Sequence, residues 1–187
     1  ALYWETTCQA NTTQTPNTYM GASCTQGSMD DETVVRICAE ECGAGCCSGD
    51  IYVGADDARR LRDRGHVEFV DTTTPQRTMR TDENDDCRFL GEDNTCTIYD
   101  DRPIDCQLFP LGLNVVDDTV EIVLVGCPLS EKMNEADISR LVAEAKSVIG
   151  NYTRADLHAY DELSFSGEYT VLETVPIAEL HLAETVC

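Results

Sequence analysis

Apolar positions recur at helical spacing in some stretches of the chain and alternate in others. The clearest helical stretch lies between Asn134 and Gly150, where Ile138, Leu141, Val142, Ala145, Val148 and Ile149 share one face. Asn134 stands where a cap belongs, with Asp137 in the first turn. Met133 and Ile138 are at hydrophobic-staple spacing and Gly150 supplies the stop. A second, shorter helix is expected in TRADLHAYDEL, and another in GADDARRLRDRG, with Gly65 as its stop. DDETVVRICAEEC reads as a helical turn or two.

Alternation marks the strands. HVEFVD, residues 66 to 71, reads as a strand, LGLNVVDDTVEIVLVG as a hairpin turning at Asp117-Asp118, and EYTVLETV as a terminal strand. Residues 1–30 show neither pattern. Thr, Asn, Gln, Ser and Gly dominate there, and an extended arm is expected. No internal repeat and no domain linker interrupts the chain. The pattern predicts an α+β fold of short helices and a β-hairpin with extended N- and C-terminal tails. It divides into an arm (1–30), a cysteine-rich domain (31–130), and a helical segment with a terminal strand packed on that domain (131–187).

Charge narrows the function. Thirty-five acidic residues against thirteen basic ones give a formal charge of −22, and only Lys132 and Lys146 are lysines. Such a surface repels a phosphate backbone, which excludes non-specific nucleic-acid binding. It is the surface of a salt-adapted or a merely acidic exported protein. No window approaches the ~20 apolar residues of a membrane helix. The chain begins at Ala1 rather than Met, and the expectation is a protein whose export signal has been removed, acting outside the cell or on its surface. Asn11 and Asn151 open glycosylation sequons.

The eleven cysteines fall into three groups. Cys38, Cys42, Cys46 and Cys47 form C-x3-C-x3-C-C, Cys87, Cys96 and Cys106 follow with Cys127 beyond them, and Cys8, Cys24 and Cys187 sit in the tails as disulfide candidates. The eight central cysteines crowd among glycines and turns, as metal ligands or a disulfide knot would. No C-x-x-C occurs, which removes the thioredoxin, bacterial-ferredoxin and c-type haem motifs. His66, His158 and His181 are scattered, so any metal is held by sulfur alone, and tetrathiolate geometry points to zinc or an iron–sulfur cluster. The acidic run 81–86 lacks the glycine and the later glutamate of a calcium loop. There is no nucleotide loop, no G-x-S-x-G and no paired-histidine motif, so binding or electron transfer fits better than catalysis.

The cluster ending in Cys46-Cys47, followed by C-R-F-L-x5-C-x-I-Y-x2-R-P-x2-C-x-L-F-P from Cys87 to Pro110, resembles the YkgJ-type CxxCxxCC family of zinc- or iron-chelating domains. The resemblance spans about residues 36 to 130. It departs in having three residues in each early gap, and Gln107 where arginine is usual. It implies that Cys38, Cys42, Cys46, Cys47, Cys87, Cys96, Cys106 and Cys127 are the candidate ligands. Members occur beside redox and methyl-transfer chemistry, notably in flagellin lysine methylases that carry a cluster, so a [4Fe–4S] cluster is the first expectation and zinc the alternative. Arg88 and Arg102 flank proposed ligands, where they would compensate thiolate charge. Pro103 would start a short helix, to Phe109, whose first N–H groups could point toward sulfur.

Four thiolates suffice for one cluster, and the surplus could serve disulfides, a second site or buried thiols. The resulting expectation is an exported [4Fe–4S] electron-transfer protein with a redox partner, or with self-association into a homopolymer through its extended tails. The competing expectation is a disulfide- or zinc-stabilised extracellular structural protein.

Overall fold

A computed structural model of the chain describes residues 29–71, 77–150, 152–161, 168–180 and 182. Cys8, Cys24, Cys187, Asn11 and Asn151 lie outside the described residues, as does all of the N-terminal arm except Met29 and Asp30. No described helix is long and apolar enough to cross a membrane.

The chain enters through α1 (Asp31–Glu41), which is longer than the turn or two expected. Its start is fixed by Asp30, whose carboxylate accepts the Thr33 N–H at 2.8 Å, and Asp31 and Glu32 complement the helix dipole. After a short 3-10 turn at Gly45–Cys47 comes α2 (Ala55–Asp63). It closes where predicted: Gly65 takes φ +88°, letting the His66 N–H reach back to the Leu61 carbonyl and the Gly65 N–H to that of Arg62.

The strand expected over 66–71 is mostly absent. Glu68 adopts a left-handed φ of 54°, which breaks the extended run, and only β1 (Val70–Asp71) pairs, with β2 (Thr78–Met79). α3 (Ile104–Leu108) follows Pro103, and then the expected hairpin, β3 (Leu111–Val116) and β4 (Thr119–Val125), with Asp117 left-handed at its turn. α4 (Glu135–Ile149) is capped by Asn134, which accepts the Ala136 and Asp137 N–H groups at 2.9 and 3.0 Å. α5 (Arg154–Asp161) and β5 (Tyr169–Pro176) complete the described fold, which is the α+β arrangement the patterning predicts.

β3, β4 and β5 form an antiparallel sheet in that order, with Leu113 opposite Ile122, Val120 opposite Val175, and a bulge at Ile122/Val123. The terminal strand therefore pairs within its own chain. Leu113, Val120 and Ile122 of the sheet pack with Leu141, Ala145 and Ile149 of α4, Leu157 and Tyr160 of α5, and Tyr52. A second cluster, Ile51, Val53, Ala58, Leu61, Phe69, Met79, Cys87 and Ile98, lies under the loops, and Cys47, Cys96 and Cys106 pack against it.

Candidate metal centre

The C-x3-C-x3-C-C run owes its geometry to the end of α1. Spacing by four places Cys38 one helical turn before Cys42 at the C-cap, where the Cys42 Sγ–H donates to the Cys38 carbonyl at 3.1 Å. Gly43 (φ 59°) and Ala44 (φ 55°) then reverse the chain, and the Ala44 N–H returns to the same carbonyl at 2.7 Å. The reversal carries Cys46 and Cys47 back past Cys38. The wider gaps thus suit a helix end followed by a left-handed reversal.

The Cys47 carbonyl accepts the Cys87 N–H at 2.7 Å, joining this loop to the second motif. There the chain turns at Gly91–Asn94, with the Asp93 carboxylate accepting the Thr95 N–H at 3.1 Å, and Leu90 bridges Cys96. α3 then delivers Cys106. Cys38, Cys46, Cys47, Cys87, Cys96 and Cys106 all line one cavity of about 120 Å³, walled by Val34, Ile51, Met79, Phe89 and Ile98.

Two of the eight candidates are not on that wall. Cys42 lies just behind Cys38, and Cys127 belongs to the turn after β4, where its sulfur accepts the Ser130 N–H at 3.4 Å. All eight are free thiols. As they stand, no three His, Cys, Asp or Glu side chains among the described residues close a coordination shell around one point. The sulfurs hold one another instead. Cys46 is hydrogen-bonded to Cys38 and to Cys47; it keeps its proton far above the usual thiol range, while the Cys38 thiol falls to about 7 and Cys47 falls as well.

The other three thiols are held neutral. Burial pushes Cys87 up to about 11 and raises Cys96, and it raises Cys106 further with the help of the neighbouring Asp105 charge. Every pair among Cys47, Cys87, Cys96 and Cys106 is close enough for the charge of one to oppose ionisation of another. Cys47 also reaches Cys38 and Cys46, so it joins these thiols to the first motif.

Arg102 lies within electrostatic reach of three thiols. Its charge acts on Cys38, Cys47 and Cys96. Its guanidinium lies 3.4 Å from the Tyr99 ring centre and its Nε donates to the Tyr99 carbonyl at 2.8 Å. Asp101 is engaged instead by Arg64 and His66, and Asp105 by the Tyr52 N–H and the Tyr160 hydroxyl. Arg88 donates to the Glu68 carbonyl and acts on Cys87 alone among the thiols. Gln107 donates to the Arg102 carbonyl at 2.6 Å, so it fixes the arginine-bearing turn rather than adding charge.

One expectation at this turn is corrected. The Ile104 N–H at the start of α3 does not face sulfur; it donates to Asp57 at 3.0 Å. Asp57, only 8% exposed, also pairs with Arg60 at 2.6 Å, and Arg60 donates to the Asp101 and Arg102 carbonyls. This α2 latch was missed in the sequence. Its trace was an Asp–Arg pair at i, i+3 bordering the apolar Ala58 and Leu61, a pattern that also describes a solvated helix face.

No curated protein and no solved structure matches the chain. The family described as "Putative zinc- or iron-chelating domain", CxxCxxCC, matches residues 37–146, which include all eight central cysteines. With more than half of the chain matched, the protein belongs to the CxxCxxCC family.

Proposed function

We propose that the protein carries a [4Fe–4S] cluster on Cys47, Cys87, Cys96 and Cys106, and that it serves as an exported electron-transfer protein. The observation that carries this reading is that Cys47, Cys87, Cys96 and Cys106 line the wall of one cavity, each near enough to the other three for their charges to interact. Cysteine-held clusters need four such ligands. Room favours a polynuclear centre over a single ion, because a cavity holds one water with only about 10–15 Å³, and this one offers about 120 Å³. Rotation about the cysteine Cα–Cβ bonds would complete the shell.

When bound, the cluster supplies one-electron chemistry. The chain's residues set its surroundings. Phe89, Ile98, Met79 and Ile51 exclude water, which strengthens every charge interaction at the sulfurs. Arg102, pinned on Tyr99, offsets thiolate charge in a chain that is otherwise strongly anionic. Cys47 and Cys96 are half-buried, so an electron entering or leaving has little protein to cross.

Protein purified without oxygen tests the reading. Iron and acid-labile sulfide should copurify at about one cluster per chain, with broad absorption near ~400 nm. Stoichiometric zinc in a colourless protein, or no metal with the central cysteines in disulfides, would overturn it.

A further inference from the structure

Cys38 and Cys46 have no part in the proposed cluster, yet their side chains meet. Cys46 donates its S–H to the Cys38 sulfur, one of them on the last turn of α1 and the other beyond the chain reversal at Gly43 and Ala44. Free cysteines often serve as small core residues. These two are half-exposed, and Glu41, Gly43 and Gly45 beside them are open to solvent, so core filling does not account for the pair. A Cβ added at Gly43 or Gly45 would meet no atom within 4 Å, which leaves that side of the loop clear for an approaching molecule.

Geometry also selects the pair from its neighbours. Consecutive Cα atoms lie about 3.8 Å apart, short of the roughly 4.4–6.8 Å that a disulfide spans, so Cys46 and Cys47 do not close on each other. Cys42 reaches Cys38 from behind, with its S–H on the Cys38 carbonyl at 3.1 Å. Cys47 is drawn the other way by the backbone bond to Cys87. We propose that Cys38 and Cys46 form a thiol–disulfide exchange site, whose substrate is a disulfide on a small molecule or on a protein. Cys38, the hydrogen-bond acceptor of the two, attacks one substrate sulfur as thiolate. The substrate S–S bond breaks, a mixed disulfide forms on Cys38, and the first substrate thiol leaves with the proton that Cys38 gave up. Cys46 then loses its proton and attacks the Cys38 sulfur, and the second substrate thiol leaves with that proton. Two protein thiols are oxidised to one disulfide while the substrate disulfide is reduced to two thiols. Because Cys46 already lies against Cys38, its attack needs little more than rotation about its Cα–Cβ bond. The separation of this site from the metal rests on the cluster using Cys47, Cys87, Cys96 and Cys106.

The test uses the full-length chain purified without oxygen, exposed to hydroxyethyl disulfide in one arm and to a cystine-bridged peptide in the other. Remaining thiols are alkylated, the chain is cut at Glu40 and Glu41, and tandem mass spectrometry locates each link. Cys38 should be joined to Cys46, with iron content and the ~400 nm band unchanged. Cys46→Ser should stop at the mixed disulfide, carrying the substrate thiol on Cys38, whereas Cys42→Ser should react as wild type does. Circular dichroism checks that both variants are folded. Reaction in the peptide arm assigns a protein disulfide as substrate, and reaction with hydroxyethyl disulfide alone assigns a small molecule. Cys38 fully alkylated in both arms, or linked to Cys42 instead of Cys46, overturns the site. A Cys38–Cys46 link that expels the metal overturns it together with the ligand assignment. If the protein holds no iron from the start, the cluster reading alone fails, because the link is read without it.

Discussion

The two apolar clusters differ in what holds them together. Around the sheet, strands β3 and β4 face α4 and α5 with Val120, Ile122, Ala145 and Ile149 all fully shielded from solvent. This half is an ordinary helix-on-sheet core, and burial of aliphatic side chains at roughly 25 cal/mol per Å² accounts for it. The cysteine half has β1 and β2 of two residues each, long loops, and a cluster in which Cys87 is itself a core member. Polar links do much of its fastening: the Asp57–Arg60 latch, the Cys47–Cys87 backbone bond and the Arg102–Tyr99 stack. One half is organised by hydrophobic packing, and the other leaves its thiols grouped for something further to bind.

The comparison breaks most sharply at the ligands. Cys96→Ser should abolish retention of the first centre and cost the cysteine half most of its stability, because a site formed only in the folded state adds its binding free energy, about 10 kcal/mol or more for structural metals, to folding. Hydrogen exchange should show lost protection at residues 77–110 with the β3–β4–β5 ladder still protected. Equal loss in both halves would mean that they fold as one unit.

Removing the metal exposes the thiols to titration. Cys87 stands at about 11 against an ordinary 9.0, and Cys96 and Cys106 are raised as well. The folded state therefore keeps protons that the unfolded chain gives up. In reduced, metal-free protein the contribution of these three thiols should be fully present below pH 9 and lost as pH rises through about 11, while that of Cys38 and Cys47, whose thiols are lowered, fades in the opposite direction, as pH falls from 9 through about 7 for Cys38. Denaturant midpoints across that window check the sign, and in metal-loaded protein this loss should disappear.

In the sheet half, Ile122→Ala should cost about 3 kcal/mol through the cavity it leaves, with metal content unchanged. Asp57→Ala should cost about 2 kcal/mol by stranding Arg60 and the Ile104 N–H, and it should also weaken metal retention because the turn bearing Arg102 and Cys106 loosens. Metal loss in the first variant, or none in the second, would blur the division between the halves. The smallest effect is expected from Asn134→Ala, about 1 kcal/mol from the lost α4 cap, read as a shift in urea midpoint.

What the sequence determined by itself was whatever depends on neighbours in the chain. The α4 cap and stop, the Gly65 terminus of α2, the hairpin at Asp117 and the terminal strand were legible because capping, left-handed turns and alternation act over a few residues. The same local reading misjudged 66–71, where alternation was real but Glu68 turns left-handed, and α1, which runs past the turn or two expected. The cysteines were legible as candidates and the family motif as a motif, since both are spacings.

Only the tertiary structure decided which sulfurs meet. Spacing could not separate Cys127 from Cys106, yet one sits in a turn with Ser130 and the other on the cavity wall. Nor could it send the first N–H of α3 to Asp57, more than forty residues earlier, in place of sulfur. Convergence in space is a property of long-range packing, and a chain read residue by residue carries the ligands without the point on which they close.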